Sequence, residues 1–159
     1  ANLTLSERPA SRGFPLAWDN VLYESPALGY VVATHQSGPD RGPTVLTYYH
    51  ALADHTPHEA RRQLLSASRD LLADAVLADL EVAHTELREI TTRLDVMRWG
   101  HAMIQPRPGF VWGQARRAAA RPYRGIHFAH CDLSGLALFE EAFDRGRAAA
   151  ASLLAELGR

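Results

Sequence analysis

Apolar residues along the chain recur with two periods, and these divide it into elements. Ala1 to Leu5 alternates and reads as a short strand, and Ser6 to Pro15, with two prolines and a glycine, reads as a loop. Trp18 to Tyr23 and Gly29 to His35 are extended runs. Ser37 to Pro43 (SGPDRGP) has the composition of a turn, and Thr44 to Tyr49, β-branched and aromatic, reads as the next strand. Two strands joined by a Gly/Pro loop predict an antiparallel hairpin.

The period then changes. Thr56-Pro57-His58-Glu59 has the form of a capping box with proline at the first helical position. Leu64, Leu65, Leu71, Leu72, Ala75, Val76 and Leu80 follow at helical spacing, predicting a helix from about 57 to 80. Glu89 to Trp99 returns to an extended pattern. Gln105 to Gly109 (QPRPG) breaks any element, and Val111 to Ala120 suits a short helix ending before Pro122. Ile126 to Ala129 reads as a short apolar strand, followed by the turn HCDLSG and a long helix from about Leu136 to Leu157. Strands and helices mix without strict βαβ alternation. The expectation is an α+β fold, a mixed or antiparallel sheet with packed helices and a final strand–turn–helix.

Composition narrows the chemistry. The chain has 159 residues, 47% hydrophobic and 22% charged, which suits one domain or one compact piece of a larger one. A formal net charge of -1 argues against a nucleic-acid binder. All 17 basic residues are arginine, so no Schiff base and no lysine general base comes from this chain. The one cysteine, Cys131, excludes an internal disulfide and a multi-cysteine zinc site. No apolar run reaches the roughly 20 residues of a membrane span. The start ANLTLSERPA is unlike a secretion signal. It leaves the compartment of a longer parent protein, cytoplasmic or exported, undetermined.

The segment from Gly125 to Ala151 concentrates the functional signal. An apolar strand ends near Asp132, passes Ser134-Gly135, and enters a helix with Ala142, Gly146, Ala149 and Ala150 along one side. Small residues at that spacing allow close approach of another backbone or a flat ligand. The first turn of a helix offers unpaired N–H groups and partial positive charge, and an acidic residue beside it accepts hydrogen bonds from ribose-type hydroxyls.

In this segment the chain resembles the C-terminal flavin-contact motif of the flavin-containing amine oxidase superfamily. That motif runs strand-F-A-G-x-E/D, a loop, then G-x-x-x-G-A-x-x-S/A-G-x-x-A-A. Phe128-Ala129, Asp132, Ala142, Gly146 and Ala149-Ala150 match it. The resemblance implies FAD as cofactor. Asp132 would contact its ribityl or pyrophosphate part, with Ser134 and Gly135 shaping the turn. N–H groups near Leu138, Phe139 and Glu140 would face the pyrimidine carbonyl. Arg98-Trp99, before a proline-rich loop, resembles the family's Arg-Trp element, which would put Trp99 on the substrate side of the flavin. Tyr48 and Tyr49 suit a substrate cavity or simply a strand, and Tyr49 is retained as a substrate-side candidate.

Departures from the motif matter as much. His130 replaces a glycine and Glu141 a small residue, and no G-x-G-x-x-G occurs. The segment that holds the ADP half of FAD is therefore missing from these residues, and the chain alone is not expected to retain FAD. The family's flavin-side lysine would align at or before Ala1.

The resemblance divides the chain into a substrate-domain portion, 1–122, and the closing strand and helix of a FAD domain, 123–159. Its partners would be the missing Rossmann segment of the same protein and a small-molecule substrate. No metal is expected: three apart on a strand, His127 and His130 face opposite sides. Cys131 is not expected to be a nucleophile, and His50, His55 and His58 read as solvated. Two other readings fit the same residues. One is a stand-alone α+β binding or dimerisation module, possessing no catalytic role and able to form a homodimer. The other is a subunit that completes a FAD site with a partner chain.

Overall fold

A computed structural model describes residues 1–13 and 15–158. Phe14, within the predicted loop 6–15, and Arg159 lie outside the described residues. The chain divides into two compact units, residues 1–100 and 101–159.

The first unit is built on a five-stranded antiparallel sheet, with strands β1 (Asn2–Leu5), β2 (Asp19–Asn20), β3 (Gly29–Val32), β4 (Thr44–Tyr49) and β5 (Thr91–Asp95) in the order β2-β3-β4-β1-β5. The α+β class is thus observed, and the predicted hairpin is the β3–β4 pair. Register explains the core. Val32 pairs with Leu46, Leu46 with Leu3, and Leu3 with Leu94, so one apolar row crosses four strands on a single face. Onto that face packs α3 (Arg69–Glu81) through Ala73, Val76, Leu77 and Leu80.

The predicted single helix from 57 to 80 is two. Helix α2 (Pro57–Ser66) opens with the expected capping box, Thr56 with Glu59. It stops because Ala67 turns extended and Ser68 starts α3, its side chain accepting from Leu71 N–H at 3.1 Å. A serine hydroxyl offers the backbone an alternative to continued helix, and periodicity alone does not register it. The extended run expected from 89 to 99 is also shorter. Leu87–Ile90 forms a helical turn, α4, with Leu87 and Ile90 buried, and strand pairing covers only Thr91–Asp95. Likewise Gly29–His35 is strand only to Val32, and a helical turn, α1 (Thr34–Ser37), follows.

Two polar contacts tie the helical layer to the sheet. The Tyr48 hydroxyl donates to Asp79 at 2.9 Å, as does Ser25 at 2.6 Å. The Tyr30 hydroxyl lies 2.6 Å from Nε2 of His84. Burial pushes the Tyr30 phenol up to about 12 and raises Tyr48 as well, so both stay protonated. Tyr48, weighed as a cavity residue, is therefore part of the core.

The second unit contains α5 (Gln114–Ala119), a 3-10 turn at Cys131–Leu133 and α6 (Phe139–Glu156). The strand expected at Ile126–Ala129 is not formed. Ile126 makes one bridge, to Tyr123, closing a tight turn over Arg124-Gly125, and no ladder follows. A strand needs a neighbour for its N–H and C=O groups, and none of the described residues pairs with 127–129. Helix α6 starts three residues later than expected, because Gly135 takes a left-handed φ of 84° and Leu138 is still extended. Among the described residues, no helix is long and apolar enough to cross a membrane.

Two predictions follow from the first unit. Gly29 has φ +123°, and a Cβ there would sit 2.1 Å from the Asn20 carbonyl oxygen of β2. Gly29→Ala is expected to cost about 2–3 kcal/mol in chemical denaturation, the scale of a steric clash with backbone. His84 is 5% exposed and burial lowers its pKa. The unfolded chain then binds the proton more readily, so stability is fully present above the unfolded value, about 6.5. It is lost as pH falls from there toward the depressed folded value. Urea midpoints across this window should drop for the wild type and flatten for His84→Gln; equal slopes would remove His84 as the cause.

Candidate functional site

The turn before α6 is the most constrained part of the second unit. Ser134 and Gly135 are its only buried positions among the described residues. Two arginines hold them there. Arg145, from the second turn of α6, donates Nε–H to Ser134 Oγ at 2.8 Å. Arg116, from α5, donates to the carbonyls of Val111 and Leu133. Gly135 lies under the Phe110 ring and the Arg116 stem; a Cβ there would come within 3.2 Å of Phe110 Cε1 and 3.3 Å of Arg116 Cδ. The Gly135 N–H donates to the Cys131 and Asp132 carbonyls, closing the 3-10 turn.

This clamp presents Asp132. His130 precedes the turn in extended conformation, and its Nδ1 accepts the Asp132 N–H at 3.1 Å. The Asp132 side chain is 45% exposed and keeps acceptor capacity, its Oδ1 meeting only His130 Nδ1 at 3.3 Å and Cys131 Sγ at 3.9 Å. Three residues beyond Gly135, Leu138 caps α6 with no side-chain hydrogen bond. The first N–H groups of α6, at Phe139 and Glu140, thus have no capping side chain. Glu140 and Glu141 occupy the first turn, as the helix dipole favours. The unit can therefore offer a carboxylate acceptor and a set of backbone donors on either side of one rigid turn.

That pairing suits a ligand with hydroxyls at one end and a carbonyl at the other. The family model for flavin containing amine oxidoreductase matches residues 16–154. The chain belongs to this family. No curated protein and no solved structure gives a significant match. For a flavin containing amine oxidoreductase, the donor set at the turn fits FAD in kind: a hydroxyl acceptor at Asp132 and carbonyl donors at the start of α6.

The family's other expected residues fall in the first unit. Arg98 is engaged within its own unit. It donates to the carbonyls of Leu64, Leu65 and Ala67, the last at 2.9 Å, and so caps the C-terminus of α2. Arg61 Nε–H reaches the Gly100 carbonyl at 2.9 Å. The Arg98-Trp99-Gly100 segment is thereby fastened to α2 from both ends, with the Trp99 side chain left 65% exposed. Tyr49, at the end of β4, points to the sheet face opposite Tyr48 and donates to Asp19 Oδ1 at 2.9 Å. That bond to a carboxylate raises its pKa and keeps it a donor.

Arg116 and Arg145 were not singled out from the sequence. Their use depends on the reach of their long side chains to the turn, which sequence spacing does not show. The convergence of the His130, Cys131 and Asp132 side chains is not legible for a different reason. It depends on the 3-10 dihedrals that the expected turn HCDLSG adopts at Cys131–Leu133, which periodicity does not register.

Ser134 offers the test of the clamp. Arg145→Ala leaves its buried hydroxyl without a donor, a loss of about 1–3 kcal/mol locally. Hydrogen exchange at the amides of Ser134 and Gly135 should accelerate correspondingly, with the first unit's amides unchanged. Unaltered protection at both amides would show that Arg145 is dispensable to the turn.

Proposed function

We propose that these residues are the C-terminal part of a FAD-dependent, amine oxidase-like oxidoreductase, acting on a C–N or C–C bond of a small molecule. Residues 1–122 belong on this reading to its substrate domain and 123–159 to its FAD domain. The observation that carries it is the clamped turn, where Asp132 and the uncapped start of α6 flank two buried residues inside a family match. Residues 127–129, which pair with no strand among the described residues, support it too, since such a segment suits the edge of a sheet supplied from elsewhere. With no G-x-G-x-x-G in the 159 residues, the cradle for the ADP half would come from outside them.

When bound, the flavin supplies the hydride acceptor for the oxidation. Everything else in the proposal concerns the chain's own groups. Asp132 accepts hydrogen bonds from the hydroxyl-bearing part of the cofactor, and the Phe139 and Glu140 N–H groups donate to a ring carbonyl. Ser134 and Gly135, held by Arg145 and Arg116, fix the spacing between those two contacts. Trp99 and Tyr49 serve the substrate side. These 159 residues include no lysine, so a lysine base at the substrate would not come from them.

The test is the absorption spectrum of the protein expressed from the full reading frame. A flavin spectrum is expected, and a folded, colourless protein that FAD titration leaves unchanged would overturn the proposal. In the same protein, Asp132→Ala removes an acceptor in a charge-assisted hydrogen bond worth about 1.5–3 kcal/mol. FAD affinity should fall roughly 10- to 100-fold. Retention at wild-type strength would take Asp132 out of the site while leaving the family membership intact.

A further inference from the structure

We propose that His130, Cys131 and Asp132 form a binding site for a single zinc-class divalent cation, through Nδ1, Sγ and a carboxylate oxygen. The inference is independent of the flavin reading and rests on the turn's own geometry. These three donor atoms all lie within 4.8 Å of one another. Their separations are 3.3 Å from His130 Nδ1 to Asp132 Oδ1, 3.7 Å from Nδ1 to Cys131 Sγ, and 3.9 Å from Sγ to Oδ1.

A tetrahedral zinc with bonds of about 2.0–2.1 Å to N or O and about 2.3 Å to S places its ligands about 3.4 Å apart, or about 3.6 Å where sulfur is involved. The three donors thus already outline one face of such a tetrahedron, to within a few tenths of an ångström. The chemistry agrees, since thiolate, imidazole and carboxylate together suit a borderline-soft ion. The local fold sets the tautomer. Because Nδ1 accepts the Asp132 N–H, it is the unprotonated nitrogen of the neutral ring, and Nε2 carries the proton.

Side-chain exposures of 63% for His130 and 45% for Asp132 leave an open approach. Water completes the coordination. Binding breaks the S–H bond of Cys131, with the proton released to solvent, and the Asp132 N–H gives up its bond to Nδ1. His127 takes no part: its Nε2 pairs with Glu156 at 3.2 Å.

The chain itself, reduced and titrated with Co²⁺, gives the test. A near-ultraviolet thiolate-to-cobalt charge-transfer band saturating at one equivalent is expected, and one equivalent of Zn²⁺ should bleach it. Cys131→Ser should abolish the band. His130→Gln and Asp132→Asn should each weaken cobalt binding by at least roughly tenfold, the loss that even outer-shell partners of a metal cause. Far-UV circular dichroism should be unchanged in all three variants, as these side chains face solvent. An absent band overturns the site. So does a band of full strength in both His130→Gln and Asp132→Asn, which would mark a thiolate acting alone, or one that survives Cys131→Ser.

Discussion

The first unit depends on one row of side chains. Val32, Leu46, Leu3 and Leu94 meet across four antiparallel strands, and Leu3 and Leu46 at its centre have no solvent exposure. Because side chains alternate along a strand, fixing this row fixes the register of all four strands. It also decides which face receives α3, whose Leu80 is fully buried. The outward face is then polar by the same rule, and so Tyr48 goes to Asp79 and the core while Tyr49 goes to Asp19 and the surface.

The second unit is organised differently. Its buried positions among the described residues are a serine and a glycine, and arginine hydrogen bonds hold them where the first unit uses aliphatic packing. Each such bond contributes on the order of 1 kcal/mol net, so the turn is fixed by geometry more than by a large burial energy. Meanwhile α6 has no buried residue, and Phe139 and Phe143 stack on each other at 6.3 Å while remaining mostly exposed. A helix carrying exposed aromatics one turn apart has an apolar stripe that its own unit does not cover.

Much of this was readable in the residues. The β3–β4 hairpin, the Thr56–Glu59 capping box and the α+β class follow from periodicity and local chemistry. Ile126–Ala129 shows where such reading stops, since an apolar run declares β propensity but a strand requires a partner. The break at Ser68 shows another limit, because a hydroxyl caps or merely decorates a helix according to its neighbours' dihedrals. The motif around Asp132 was legible as a family pattern. Its mechanical basis was not, because the reach of Arg145 and Arg116 depends on where α6 and α5 come to lie beside the turn.

Asp132 is where the two halves of the functional argument converge. An acidic residue at the close of an apolar run says only that a carboxylate is available, whereas the turn specifies its neighbours. His130 on one side stands where the family has glycine, and an imidazole beside the carboxylate changes what that carboxylate is able to do. With glycine the oxygen faces only its ligand. With histidine and then cysteine, the same oxygen is one of three donors within 4.8 Å. A histidine at position 130 thus gives the carboxylate an imidazole neighbour in addition to the thiol. The departure from the family pattern carries information that the matching residues alone do not.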